Sequence, residues 1–214
     1  MEFVKTTVGS GIFVQIGAGA GDLDSRANHR DGFSEFVKAL PTERIKHIIL
    51  VEPNPINIPF LKKCWQDYPQ AKIVEIAIVP KKASCQNLDF FYAENDGPHF
   101  QVASINVEHV RKHYDESVNI CKISVPTIDL ESFLNQHIGN DEIELLSLDI
   151  EGIDADVLLD TDFNNVNLKF LSYEHLHLGD LAKNVAQHLN DCKLTFRGRG
   201  VDHNGYDHLC EKMV

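Results

Sequence analysis

The run Ile12-Phe-Val-Gln-Ile-Gly-Ala-Gly-Ala-Gly-Asp22 constrains this chain more than any other stretch. An apolar segment stops abruptly at Gly17, Gly19 and Gly21, glycines at every second position. The pattern reads as a buried strand whose C-terminal end turns sharply into a helix. Glycine lacks a Cβ, so the backbone there can turn tightly and a ligand can approach it closely. A second apolar run, His47-Ile-Ile-Leu-Val-Glu-Pro-Asn-Pro55, ends in Glu52. Adjacent parallel strands, one ending in a glycine turn and the other in an acid, suit a nucleoside. Backbone receives one end of it, and a carboxylate receives the ribose diol.

Along the rest of the chain, strand-like runs alternate with helix-like ones. That is the sign of an α/β fold, a mainly parallel sheet covered on both faces. Core strands are expected at Ile12–Gly17, Ile48–Glu52, Lys72–Val79, Ile143–Ile150 and Leu168–Glu174. Leu88–Tyr92 reads as an added antiparallel strand and Val118–Val125 as extended. Lys193–Arg197 and Tyr206–Lys212 read as a terminal hairpin. Helices are expected around Gly32–Leu40, Asn57–Tyr68, Asn106–Tyr114 and Ile128–His137, with Thr127 as the N-cap of the last. Further helices start near Asp154 and cover Leu181–Leu189. With 214 residues and no internal repeat or linker, one domain over residues 1–214 is expected.

Four segments, in order, resemble the FkbM family, a branch of the class I S-adenosylmethionine (SAM) methyltransferases that contains O-methyltransferases. They are the first strand with its Gly-x-Gly-x-Gly turn, Val51-Glu-Pro-Asn-Pro55, Leu145-Leu-Ser-Leu-Asp-Ile-Glu-Gly152 and Phe170-Leu-Ser-Tyr-Glu174. Two positions depart from the family pattern: Gln15 stands where an acid is usual, and Ser147 where a lysine is frequent. The resemblance implies a Rossmann-like seven-stranded sheet in the order 3-2-1-4-5-7-6, with SAM as cofactor. It also implies that Gly17, Ala18, Gly19 and the turn at Gly21 receive the methionine end, while Glu52 accepts hydrogen bonds from the ribose hydroxyls. Pro53, Ile76 and Ala77 would border the adenine. Asp22 would contact the amino-acid part or cap the following helix.

The chemistry is expected at Asp149-Ile-Glu151, at the end of an apolar strand, where ligands bind in folds of this type. Buried acids there are costly unless paired or used. Glu174-His-Leu-His177 follows the neighbouring strand, so Asp149, Glu151 and Glu174 converge near the transferred methyl group. His175 or His177 adds a group that titrates near neutral pH. Asp149, Glu174 and His175 also form a candidate site for a divalent cation, Mg or Mn by ligand hardness. Arg197, Arg199 and His203 lie in the terminal loop, within reach of an acceptor or simply solvated.

The net charge of −12 argues against a nucleic-acid partner, which would need basic phosphate contacts. It fits a neutral or cationic small molecule, and with the family resemblance it points to a sugar or glycan hydroxyl as acceptor. No apolar run of about 18 residues suggests a membrane span, and the N-terminus lacks the pattern of a signal peptide. Five scattered cysteines without a Cys-x-x-Cys pair suggest reduced thiols in the cytoplasm. Little chain precedes the first strand, so the site is expected to be open, or closed by a second copy of the chain in a homodimer. The rival is an NAD(P)-dependent oxidoreductase. Its signature places the third glycine one position later and an acid ~20 residues on, whereas Glu52 lies 31 residues past Gly21 (52 − 21). A methyltransferase fold acting on a non-sugar small molecule is the other alternative.

Overall fold

The computed structural model describes residues 9–22, 31–84, 86–94, 103–150 and 152–213. Its centre is a seven-stranded sheet. In chain order the strands of that sheet are β1 (Gly11–Ile16), β2 (Ile45–Val51), β3 (Ala71–Val74), β7 (Ile143–Leu148), β8 (Leu168–Glu174), β9 (Leu194–Arg199) and β10 (Asp207–Lys212). Across the sheet they run β3-β2-β1-β7-β8-β10-β9, with β10 antiparallel to both its neighbours and the other pairs parallel. This is the order expected for the class I methyltransferase sheet.

β1 (GIFVQI) and β7 (IELLSL) are buried at every position. Strands covered on both faces read as unbroken apolar runs, which is why these were legible. Successive side chains point to opposite faces. Phe13, Leu145 and Phe170 therefore pack with Phe33, Phe36, Leu61 and Trp65 on one side. Val14, Leu146 and Leu171 pack with Phe133, Leu158 and Val185 on the other. The first set draws on helices α1 (Gly32–Lys38) and α2 (Ile58–Cys64), the second on α4 (Leu130–His137), α5 (Asp154–Asp160) and α6 (Ala182–Asp191). A short α3 (Val107–Arg111) stands apart from both.

Two expectations change. The single strand Lys72–Val79 is two strands. β3 ends at Val74 on the open edge of the sheet, and the chain then leaves it to bury β4 (Ala77–Ile78) beside β6 (Ile120–Ile128). β6 also pairs antiparallel with β5 (Asn87–Ala93), forming a second, three-stranded sheet over the ligand edge of the first. Thr127 is not a helix cap. It lies within β6, where its hydroxyl donates to Ala83 O at 2.7 Å. Asp129 caps α4 instead, accepting from Ser132 N–H at 2.9 Å. No helix among the described residues is long and apolar enough to cross a membrane.

Candidate active site

The glycine turn meets the ends of two neighbouring strands. The N–H groups of Gly17 and Ala18 both donate to Val51 O at 3.0 Å. Gly17 has φ +79°, and a Cβ there would lie 1.7 Å from Asp149 O. Glycine is therefore required by conformation and by space at once. Gly19 differs: its φ is +53°, but a Cβ would meet nothing within 4 Å. Its backbone borders open space, the ligand side of the turn.

Gly19 N–H donates to Glu52 Oε2 at 2.7 Å, and Asn54 N–H donates to Glu52 Oε1 at 2.7 Å. The acid ending β2 is thus clamped to the turn that ends β1. Burial pushes the Glu52 carboxyl up to about 7, against the opposing pull of the Asn54 and Gly19 N–H groups and the Asn57 side chain.

Above these strand ends lies a cavity of about 450 Å³, within the range of small-molecule sites. Gly17, Ala18, Gly19, Gly21, Glu52, Pro53, Ile76, Ala77, Asp149 and Glu174 all line it. The second sheet closes the side near Ile76–Ile78 with Phe90. Gly21 also packs on α2: a Cβ there would sit 2.6 Å from Cys64 Sγ.

Other expected residues lie elsewhere. Asp22 turns away from the cavity and pairs with Lys38 Nζ at 3.1 Å, while the Cys64 thiol donates to its Oδ1 at 2.8 Å. It neither caps α1 nor lines the site; Asp31 caps that helix by accepting from Ser34 N–H. His175 stacks on His208, ring centroids 3.9 Å apart, outside the cavity lining. His177 takes the inward place, its Nε2 3.6 Å from Glu174 Oε1. The exchange follows from the 3₁₀ turn at Leu176–Leu181, which swings the chain away from the strand direction directly after Glu174. Arg197 pairs with Glu211 at 2.7 Å, and His203 lines the cavity rim 3.0 Å from Glu35. Glu151 lies outside the described residues.

The structure adds acids that the sequence did not single out. Asp154, at the start of α5, accepts from Ile150 N–H at 2.9 Å. Ligand atoms of Asp149, Asp154 and Glu174 lie within 4.8 Å of one another. This cluster suits a hard cation as well as a hydroxyl group, and it does not include His175. Asp207 pairs directly with Glu174 across β10 and β8, and its Oδ2 accepts from the Ser172 hydroxyl at 2.7 Å. Burial pushes Asp207 up to about 7, and the nearby charge of Asp202 adds to that. No sequence signal marks it, because only the antiparallel return of β10 brings it to the site. The described lining carries Asp31, Glu52, Asp149, Glu174, Asp202 and Asp207, and no Lys or Arg. Its field favours cations and disfavours anions.

The sequence matches the methyltransferase FkbM domain over residues 15–197. This chain belongs to the FkbM methyltransferase family. The FkbM domain is also similar in structure to an FkbM methyltransferase from Methylobacillus flagellatus KT, at 13% identity and a TM-score of 0.52. That likeness covers 94% of this chain but 43% of the other, so the chain spans less than half of that relative's length. A Streptococcus mutans protein solved in complex with SAH is similar at 10% identity and a TM-score of 0.50, over 99% of this chain and 94% of that one. At such identities the likeness speaks for the fold. No curated protein sequence matches the chain.

Proposed function

We propose that this FkbM-family protein transfers a methyl group from SAM to a hydroxyl group of a sugar or glycan. One observation carries the reading: a single cavity joins the glycine turn and the clamped Glu52 to the carboxylates at the ends of β7 and β8. A nucleoside fits the first part and a reacting hydroxyl the second. The residues present fit SAM, because Glu52 stands ready for a ribose diol and the acidic lining suits a cationic cofactor.

Bound SAM supplies an electrophilic methyl carbon that needs no further activation. The protein's part is placement. Asp149 and Glu174 accept hydrogen bonds from the acceptor and hold its oxygen, and such positioning can supply ~7–11 kcal/mol of the barrier. A carboxylate that takes the hydroxyl proton adds a further ~10²–10⁴-fold. Leu176 and Tyr206, 48% and 45% exposed, stand at the cavity rim and offer apolar surface to the face of a sugar ring. The absence of Lys and Arg from the described lining disfavours phosphorylated or carboxylated acceptors. The four described cysteines are free thiols, which supports action in a reducing compartment such as the cytoplasm.

The test is calorimetry with SAM and with NAD, followed by methyl transfer to a panel of neutral glycosides. SAM is expected to bind and NAD not to. Asp149→Asn and Glu174→Gln are expected to abolish transfer while SAM still binds; near-wild-type turnover in both would overturn their roles. The convergence of Asp149, Asp154 and Glu174 supports a second use of the same acids, as ligands of Mg or Mn. Loss of transfer on chelation, with recovery on adding Mg, would assign them that use.

A further inference from the structure

The large apolar side chains most open to solvent are not scattered. Among the described residues they are Leu176, Leu181, Phe196, Tyr206 and Met213, all in the C-terminal part of the chain. Exposed apolar surface that gathers in one region marks an interaction site. Leu176 and Tyr206 rim the cavity, whereas Phe196, the most exposed at 57%, lies beyond its lining. A line of rings connects them. His175 N–H donates to Tyr206 O at 2.9 Å, and its Nε2 lies 3.3 Å from Gly205 O. Its ring stacks on His208, which meets Phe196 at 70° with centroids 4.9 Å apart. The strip therefore runs from the cavity mouth across β10 to β9, the outermost strand of the sheet. Arg199 pairs with His208 across those strands. Its guanidinium lies on the Gly205 backbone, where a Cβ would sit 3.2 Å from its Cζ. Arg197 is tied to Glu211, but the Arg199 guanidinium has no ion pair among the described residues.

We propose that His208, Phe196 and Arg199 form an outer acceptor subsite, which holds the sugar residue next to the one that is methylated. The proposal rests on the glycan reading above and narrows it to an oligosaccharide. A sugar ring has an apolar C–H face and a rim of hydroxyls. The strip complements both: it offers ring faces for the first, and imidazole, phenol and guanidinium groups for the second. Aromatic and arginine side chains are the ones that carry most of the energy at binding surfaces. Continuity ties the strip to the acceptor. A glycan whose end is seated in the cavity leaves it over Leu176 and Tyr206, and the strip begins there. A second copy of the chain fits less well. A stable protein interface buries ~800 Å² on each partner, far more than this narrow line of rings presents. Two copies at a net charge of −12 also repel each other.

The experiment is methyl-transfer kinetics on paired probes: the methyl glycosides of glucose, mannose and galactose, each against the corresponding cellotriose, mannotriose or galactotriose. For the sugar that is accepted, the wild type is expected to show a KM roughly tenfold lower for the trisaccharide than for the monoglycoside. Phe196→Ala and Arg199→Ala are each expected to raise the trisaccharide KM roughly tenfold and to leave its kcat within about twofold. The monoglycoside ends short of the strip, so its KM stays within about twofold in both variants. Thermal unfolding checks that the variants fold, and the wild-type comparison stands without them. Equal KM for the two acceptors, or a trisaccharide KM that neither substitution moves, overturns the outer subsite while the glycan reading stands. Sedimentation covers the remaining occupant: a dimer that Phe196→Ala dissociates assigns the strip to a second copy and overturns the proposal. Failure to methylate any of the probes overturns the glycan reading itself, and this proposal with it.

Discussion

Glu52 and Asp207 are each buried with their carboxyls raised to about 7, from ordinary values of 4.5 and 3.8. The sign of the consequence follows from proton counting. Between about pH 4 and 7 the folded protein holds protons that the unfolded chain releases. Each group's contribution to stability is therefore present below its unfolded pKa and is lost as pH rises to about 7, on the order of 3 kcal/mol apiece. Glu52→Gln and Asp207→Asn are expected to gain on the wild type by up to that amount between pH 5 and pH 7.5, measured by urea unfolding. An unchanged difference at the two pH values would show that burial does not hold these protons. Binding should move the other way. On the proposed reading, ribose hydroxyls would donate to an ionised Glu52, so calorimetric SAM affinity is expected to rise from pH 6 to pH 8, and to lose that rise in Glu52→Gln.

Among the elements, the turn after β1 separates two tasks that the sequence shows only as repeated glycine. Gly17 is held by backbone: its φ of +79° and the 1.7 Å approach to Asp149 O leave no room for a side chain. Gly17→Ala is expected to cost more than about 3 kcal/mol of stability in denaturant unfolding, through strain and a forced separation of β1 from β7. Gly19 faces the cavity with nothing within 4 Å. Gly19→Ala is expected to cost only about 1 kcal/mol in stability, while its methyl group intrudes on the ligand and weakens SAM binding. Equal stability losses in the two variants would refute this division. Gly152 presents a third case, since its φ of +90° and a Cβ position 2.7 Å from His109 Nδ1 admit that histidine beneath the β7–α5 turn. The Glu-Gly pair was legible as a motif, but the histidine it makes room for, 43 residues earlier (152 − 109), was not.

At the scale of the molecule, the strand order brings the carboxyl ends of β1, β2, β7 and β8 to one edge, and the second sheet roofs part of it. A ligand seated there touches both sheets and binds only the folded chain. S-adenosylhomocysteine at 100 times its Kd is therefore expected to add about 2.7 kcal/mol and raise the unfolding temperature by roughly 5–10 °C. NAD at the same concentration is expected to leave it unchanged. A thermal shift with NAD and none with S-adenosylhomocysteine would contradict the shape proposed for the cavity.

The sequence alone determined the parts that local chemistry dictates. Apolar runs such as Ile143–Leu148 and Leu168–Glu174 are strands because both their faces are buried, and the chain turns directly after Ile16 because only glycine fits at position 17. It also placed Glu52, Asp149 and Glu174 at strand ends, where a parallel sheet collects them. Only the tertiary structure decided which of the neighbouring polar groups face inward. His177 replaces His175 because a 3₁₀ turn rotates the chain after β8. Asp22 is captured by a lysine and a thiol that the sequence sets 16 and 42 residues away (38 − 22 and 64 − 22). Asp207 joins the site through an antiparallel strand that pairs it with Glu174. Such choices depend on distances between residues far apart in the chain, and neither periodicity nor spacing carries that information.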